Sequence, residues 1–168
     1  MIDNLINHFD NNLLLFPFFY PLYCNISIIM KSVFHIKIPS LLENIRIVES
    51  FIDNARDKFN LNDDIYGNIM VAVTEAVNNA IIHGNGKDKN KEVDLSLEVG
   101  KEKLFFTIKD QGKGFDPDSL PDPTAPENLL TIGGRGIFLV KSLADNVDFL
   151  DNGRTVKMTF NVKNSALN

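Results

Sequence analysis

The stretch VAVTEAVNNAIIHG, Val71 to Gly84, decides how this chain is read. Its apolar residues recur as one buried side of a helix. Yet Glu75 and Asn79 stand four residues apart within it, with Asn78 and His83 close by. At about 100° per residue, Asn68, Ala72, Glu75, Asn79 and His83 fall in one narrow arc. Ile69, Val73, Ala76, Val77 and Ala80 fall on the adjacent arc and take the core. A carboxylate on the edge of a packed helix can orient or deprotonate a hydroxyl. An amide oxygen there is a hard ligand suited to Mg²⁺, which keeps several waters and leans on substrate phosphates for the rest. Read alone, the pattern also fits a solvated helix edge, so the flanking segments must decide.

Working outward, this helix starts near Asp63 and ends near His83, with Gly84 and Gly86 as glycine stops. Before it, SVFHIKI (Ser32 to Ile38) reads as a strand ended by Pro39. Ser40 and Glu43 have capping-box spacing, which predicts a helix start there. Leu42, Ile45, Val48, Ile52, Ala55 and Phe59 supply that helix with a buried stripe. After Gly86, EVDLSLEV alternates strictly, with Val93, Leu95, Leu97 and Val99 against Asp94, Ser96 and Glu98. Gly100-Lys101 turns the chain and KLFFTIKD returns as a second strand. A helix over GIFLVKSLA follows, then a hairpin with Asn152-Gly153 at its turn. The order is strand, helix, helix, strand, strand, helix, strand, strand. It predicts an α/β two-layer sandwich: a mixed, largely antiparallel sheet, helices on one face and solvent on the other.

A chain of 168 residues suits one domain with a real core. A net charge of −5 argues against direct nucleic-acid binding, which needs a basic surface. Cys24 is the sole cysteine, so neither an intramolecular disulfide nor a cysteine-based metal cluster can form; both fit a reducing cytoplasm. Residues 1–30 read as an apolar extension, separate from a domain over 31–164. Leu13 to Met30 is apolar enough to suggest an anchor or signal, but Pro17 and Pro21 interrupt it and no Lys or Arg precedes it. The expectation is therefore a poorly structured appendage or a true start at Met30, with no membrane association.

Two further features carry chemistry. DQGKGF, Asp110 to Phe115, begins where a strand ends. Asp110 closes an apolar strand, so its carboxylate should sit in a pocket and need a donor. Gly112 and Gly114 let a ligand approach the backbone. GGRGIFLV, Gly133 to Val140, leads glycines directly into a helix, so free N–H groups and the positive helix end offer a phosphate site beside Arg135. Neither the dinucleotide fingerprint nor the GxxxxGK[ST] phosphate loop is present.

The three stretches EAVNNAIIHG, DQGKGFD and GGRGIFLVKSLAD resemble the ordered N, G1 and G2 boxes of the GHKL superfamily. That superfamily takes in gyrase, a heat-shock chaperone, histidine kinases and a mismatch-repair ATPase, and the resemblance runs from about Ser32 to Val162. It implies a Bergerat-type ATP-binding fold. Within it, the chain is most similar to the small bacterial anti-sigma factors that are serine/threonine protein kinases. Carried over by position, the resemblance implies Glu75 as general base and Asn79 as the Mg²⁺ ligand. Asp110 would accept from the adenine amino group, with Gly112 and Gly114 lining the base pocket. Gly134, Arg135 and Gly136 would face the phosphates, Thr155 would add an adenine contact, and Phe115 to Ile132 would form the ATP lid. The implied cofactors are ATP and Mg²⁺. The implied partners are an anti-anti-sigma antagonist, phosphorylated on serine or threonine, and a sigma factor; a homodimer is carried over from the family alone. Two alternatives stay open: a non-catalytic ATP-dependent switch that sequesters a regulatory partner, and a stand-alone ATPase domain of the histidine-kinase type. A complete histidine kinase is disfavoured, since residues 1–31 are too short for a phosphoacceptor helical hairpin.

Overall fold

The computed structural model describes residues 32–119 and 135–162. The proposed extension 1–30, Gly134 and most of the expected lid lie outside the described residues. The described chain forms β1 (Ser32–Pro39), α1 (Ile45–Phe59), α2 (Asp63–Asn79), β2 (Glu92–Val99), β3 (Lys103–Lys109), α3 (Arg135–Leu143), β4 (Asn146–Leu150) and β5 (Thr155–Asn161). The element order is the one the hydropathy pattern predicts.

The five strands form one sheet in the order β1-β2-β3-β5-β4, and every neighbouring pair is antiparallel. Alternation divides its two faces. Val93, Leu95, Leu97, Leu104, Phe106, Ile108, Met158 and Phe160 are buried on one of them. Val48, Ile52, Ala55 and Phe59 of α1 and Ile69, Val73, Ala76 and Val77 of α2 join the same core. The other face carries His35, hydrogen-bonded to Asp94, with Lys37 Nζ 3.6 Å from the second Asp94 oxygen. Exposed pairs of this kind contribute little stability and leave this face polar. Among the described residues no helix is long and apolar enough to cross a membrane.

Four local expectations change. Ser40 is fully buried and caps no helix; its hydroxyl donates to the Lys91 carbonyl at 3.0 Å. A short 3-10 turn over Leu42–Asn44 leads into α1 instead, with no side-chain cap. Ala72, placed by the helical wheel beside Glu75, is fully buried, because α3 packs against α2. Gly84 does not end α2 in a left-handed conformation: the helix widens into a π-helical turn over Ala80–Gly84, and Gly86 (φ 66°) makes the reversal. The β4–β5 connection spans four residues rather than two, with Asp151, Asn152 and Gly153 all at positive φ.

Candidate functional site

The sheet, α2 and α3 converge on a cavity of about 310 Å³, within the size range of small-molecule sites. Ala76 of α2, Ala80 of the π-helical turn that continues it, Ile108 of β3, Ile137 and Val140 of α3, and Val156 of β5 make its apolar walls. Asn79, His83, Asp110 and Arg154 supply polar groups at its edges. Two alanines four apart keep the α2 wall flat, which leaves room for a planar group.

Asp110 sits where β3 ends and is 8% exposed. Its N–H donates to the Arg154 carbonyl at 3.0 Å, and its Oδ1 accepts from the Gly112 N–H at 2.7 Å. Burial raises its pKa; the Gly112 N–H and the Arg154 and Lys91 charges oppose that rise. The carboxylate is wedged by glycines. A methyl group on Gly84 would overlap the Asp110 carboxyl carbon, and one on Gly112 would overlap the Gly84 carbonyl oxygen. Gly114 (φ 81°) allows the next loop residues to lock onto the β4–β5 turn, where Phe115 N–H donates to the Asn152 carbonyl at 2.8 Å.

At the other end, the first turn of α3 presses on α2. A methyl group on Gly136 would overlap Glu75 Oε1 and come within 3.0 Å of Asn79 Nδ2. That Nδ2 is the one buried side-chain nitrogen or oxygen without a hydrogen-bond partner among the described residues. A buried amide left unpaired costs about 1–3 kcal/mol, so its retention beside a cavity marks a place for a ligand. The amide can turn end for end without changing shape, offering an oxygen to a cation or an N–H to an anion. The residues present thus fit a magnesium ion shared with phosphate oxygens.

Residues 38–160 match the histidine kinase-like ATPase domain family. This chain belongs to that family. It is 32% identical over 130 residues to the serine-protein kinase RsbW of Bacillus licheniformis, covering 73% of this chain and 81% of that one. To the RsbW of Bacillus subtilis it is 29% identical over the same length, and to that of a Staphylococcus aureus strain 29% over 136 residues. A crystal structure of the RsbU and RsbW domains of a Mycobacterium tuberculosis protein superposes with a TM-score of 0.55 at 14% identity, covering 80% of this chain and 33% of that one. That likeness establishes the fold.

In this histidine kinase-like ATPase domain, Asn79, Asp110, Gly114 and Gly136 line the same cavity. Glu75 and Gly112 stand just behind the lining, against Gly136 and against Gly84 respectively. Two more residues of the expected set, Arg135 and Thr155, also stand outside the lining. Arg135 opens α3 and is exposed. Thr155 is buried on β5 and donates its hydroxyl to Asp151 Oδ2 at 2.8 Å. Sequence reasoning set His83 on the arc of Glu75 and Asn79 without giving it a role, and it missed Arg154 as a cavity residue and the reason for Gly84. The signal for Gly84 was its position directly after the helix that carries Glu75 and Asn79.

Removing the unpaired amide should separate stability from ligand binding. Asn79→Ala is expected to leave the thermal midpoint unchanged or higher without nucleotide, while weakening Mg-ATP at least tenfold. Differential scanning fluorimetry and calorimetry on one sample check both. A destabilised apo-protein with normal affinity would show that the amide serves the fold.

Proposed function

We propose that this chain is an ATP-dependent serine/threonine protein kinase of the anti-sigma type, acting on a small antagonist protein and thereby regulating a sigma factor. One observation carries the reading: Asn79 with its unpaired amide, the wedged Asp110 and the glycine-led start of α3 open onto a single cavity. The similarity to serine-protein kinases RsbW supports the choice of reaction.

In this reading adenine lies between Ala76, Ala80 and the sheet, and the Asp110 carboxylate accepts a hydrogen bond from its amino group. The phosphates meet the N-terminal N–H groups of α3, the helix that Arg135 opens. Thr155 acts on the adenine end only indirectly, through Asp151 and its turn. A bound magnesium ion would supply charge neutralisation on the phosphate oxygens, with Asn79 as its protein ligand. Glu75 takes the proton of the acceptor hydroxyl as that oxygen bonds to the γ-phosphorus. The bond from phosphorus to the bridging oxygen breaks and ADP leaves with the electron pair. Most of the acceleration comes from positioning and electrostatics.

The test is incubation of the purified protein and its antagonist with Mg-ATP, followed by phosphopeptide mass spectrometry. Phosphoserine or phosphothreonine on the antagonist supports the kinase; ATP binding with no transfer leaves only a nucleotide-dependent switch. Asp110 gives a second handle. Its raised pKa means that folding favours the protonated acid, so its contribution is greatest below the ordinary carboxylate range and is lost as pH rises through the folded value. ATP needs the opposite, ionised form. Asp110→Asn is therefore expected to be more stable than the parent at neutral pH, with the difference closing in acid, and to discriminate ATP from GTP less well. Equal ATP and GTP binding by the parent would contradict the role of Asp110.

A further inference from the structure

We propose that Asn85 is a positioning residue for the nucleotide, holding the loop that presents Asp110; the proposal rests on the ATP-binding reading above. Asn85 is only 2% exposed and follows the π-helical turn that ends α2. Its backbone N–H donates to the Ala80 carbonyl at 2.7 Å, the five-residue step that widens the helix. Its side chain ties three other segments together. Nδ2 donates to Ser40 Oγ at 2.7 Å, at the end of β1, and to the Glu92 carbonyl at 2.9 Å, at the start of β2. Oδ1 accepts from the Gln111 N–H at 2.7 Å, directly after Asp110.

The orientation of that amide is fixed by its partners. Ser40 spends its own proton on the Lys91 carbonyl, so it can only accept from Asn85. The Glu92 carbonyl accepts as well, so the nitrogen must face both and the oxygen must face Gln111. Gln111 returns the link, its Oε1 accepting from the Glu92 N–H at 3.1 Å. The loop is thus pinned at Gln111 by Asn85 and at Gly112 by Asp110 itself, while Gly84, immediately before Asn85, forms the wall against the carboxylate. No group of Asn85 lines the cavity. Its effect on the nucleotide must pass through Asp110, and so should fall on the adenine end rather than on the phosphate end formed by Asn79 and Gly136.

Asn85→Ala is expected to bind Mg-ATP about tenfold more weakly and to lose most of its preference for ATP over GTP. Ser40→Ala removes a contact on the donor side but keeps the bond to Gln111. It should lose stability comparably while keeping ATP affinity and ATP:GTP preference within about twofold. Calorimetry with ATP and GTP, at a temperature where urea unfolding shows each variant folded, reads the difference. Amide exchange in the wild type gives a measurement that survives any folding failure: Gln111 N–H should exchange as slowly as the amides of β3. If Gln111 exchanges like an open loop, or if folded Asn85→Ala keeps wild-type affinity and preference, the proposal is overturned. If the wild type binds no Mg-ATP at all, the ATP reading falls and takes the proposal with it.

Discussion

Glu75→Gln should leave Mg-ATP bound and remove phosphotransfer, by about 10²–10⁴-fold if the carboxylate is the general base. The substitution is chosen for its shape. Glu75 Oε1 lies where α3 begins, so close that Gly136 tolerates no β-carbon. An alanine there would open space between α2 and α3 and blur a chemical loss with a packing loss. Glutamine fills the same volume and keeps a polar atom against Gly136, but it cannot accept a proton from the attacking hydroxyl. The chemistry is then the only thing removed. Phosphoserine formation at saturating Mg-ATP, set beside the calorimetric dissociation constant, checks the claim. Unchanged turnover would remove Glu75 from catalysis. Lost affinity would make it a nucleotide-binding residue, since a base acting on the acceptor should not alter ground-state binding.

The architecture was legible because strand alternation and helical stripes are local. Val93, Leu95 and Leu97 announce a half-buried strand within eight residues, and the sheet follows from the order of such segments. The N-box helix was legible for the same reason, since Ile69, Val73, Ala76 and Val77 repeat at helical spacing and are all buried. What sequence could not show depends on distant partners. Ser40 has the letters of a helix cap, but Lys91 and Asn85 meet it across the fold and take its hydroxyl elsewhere. Gly84 reads as a stop, yet its missing side chain answers to Asp110, twenty-six positions along the chain. Asn152-Gly153 suggests a two-residue turn, but the connection lengthens to four as Asn152 and Gly153 also engage the loop at Gly114 and Phe115. In each case a tertiary contact overrides a correct local preference. The cavity is built largely from such contacts, so its residue types were readable while its geometry was not.

Two alanine substitutions at glycine should move stability in opposite directions, and the larger effect falls on the site. Gly112→Ala places a β-carbon onto the Gly84 carbonyl oxygen, with Asp110 Oδ1 at 2.8 Å. The obstacle is backbone held by the end of α2, so no flexible side chain can swing aside. Either the loop after β3 or the π-helical turn has to retreat, and each movement breaks the Gly112 N–H bond that holds the Asp110 carboxylate. Overpacking of a tight site costs about 1–3 kcal/mol, and a backbone obstacle should reach the upper end of that range. Mg-ATP affinity should fall by about two orders of magnitude, because binding has to draw the retreated loop and its carboxylate back into the strained geometry, at about 1.4 kcal/mol per tenfold. Gly67 is the control: it lies inside α2, and a β-carbon there meets nothing within 4 Å. Gly67→Ala should stabilise the protein by about 0.5–1 kcal/mol through helix propensity alone and leave nucleotide binding intact. Urea midpoints and calorimetry on both variants decide. Should Gly112→Ala keep its midpoint and its affinity, the glycine wedge around Asp110 is not tight, and the adenine pocket must be held open by some other contact.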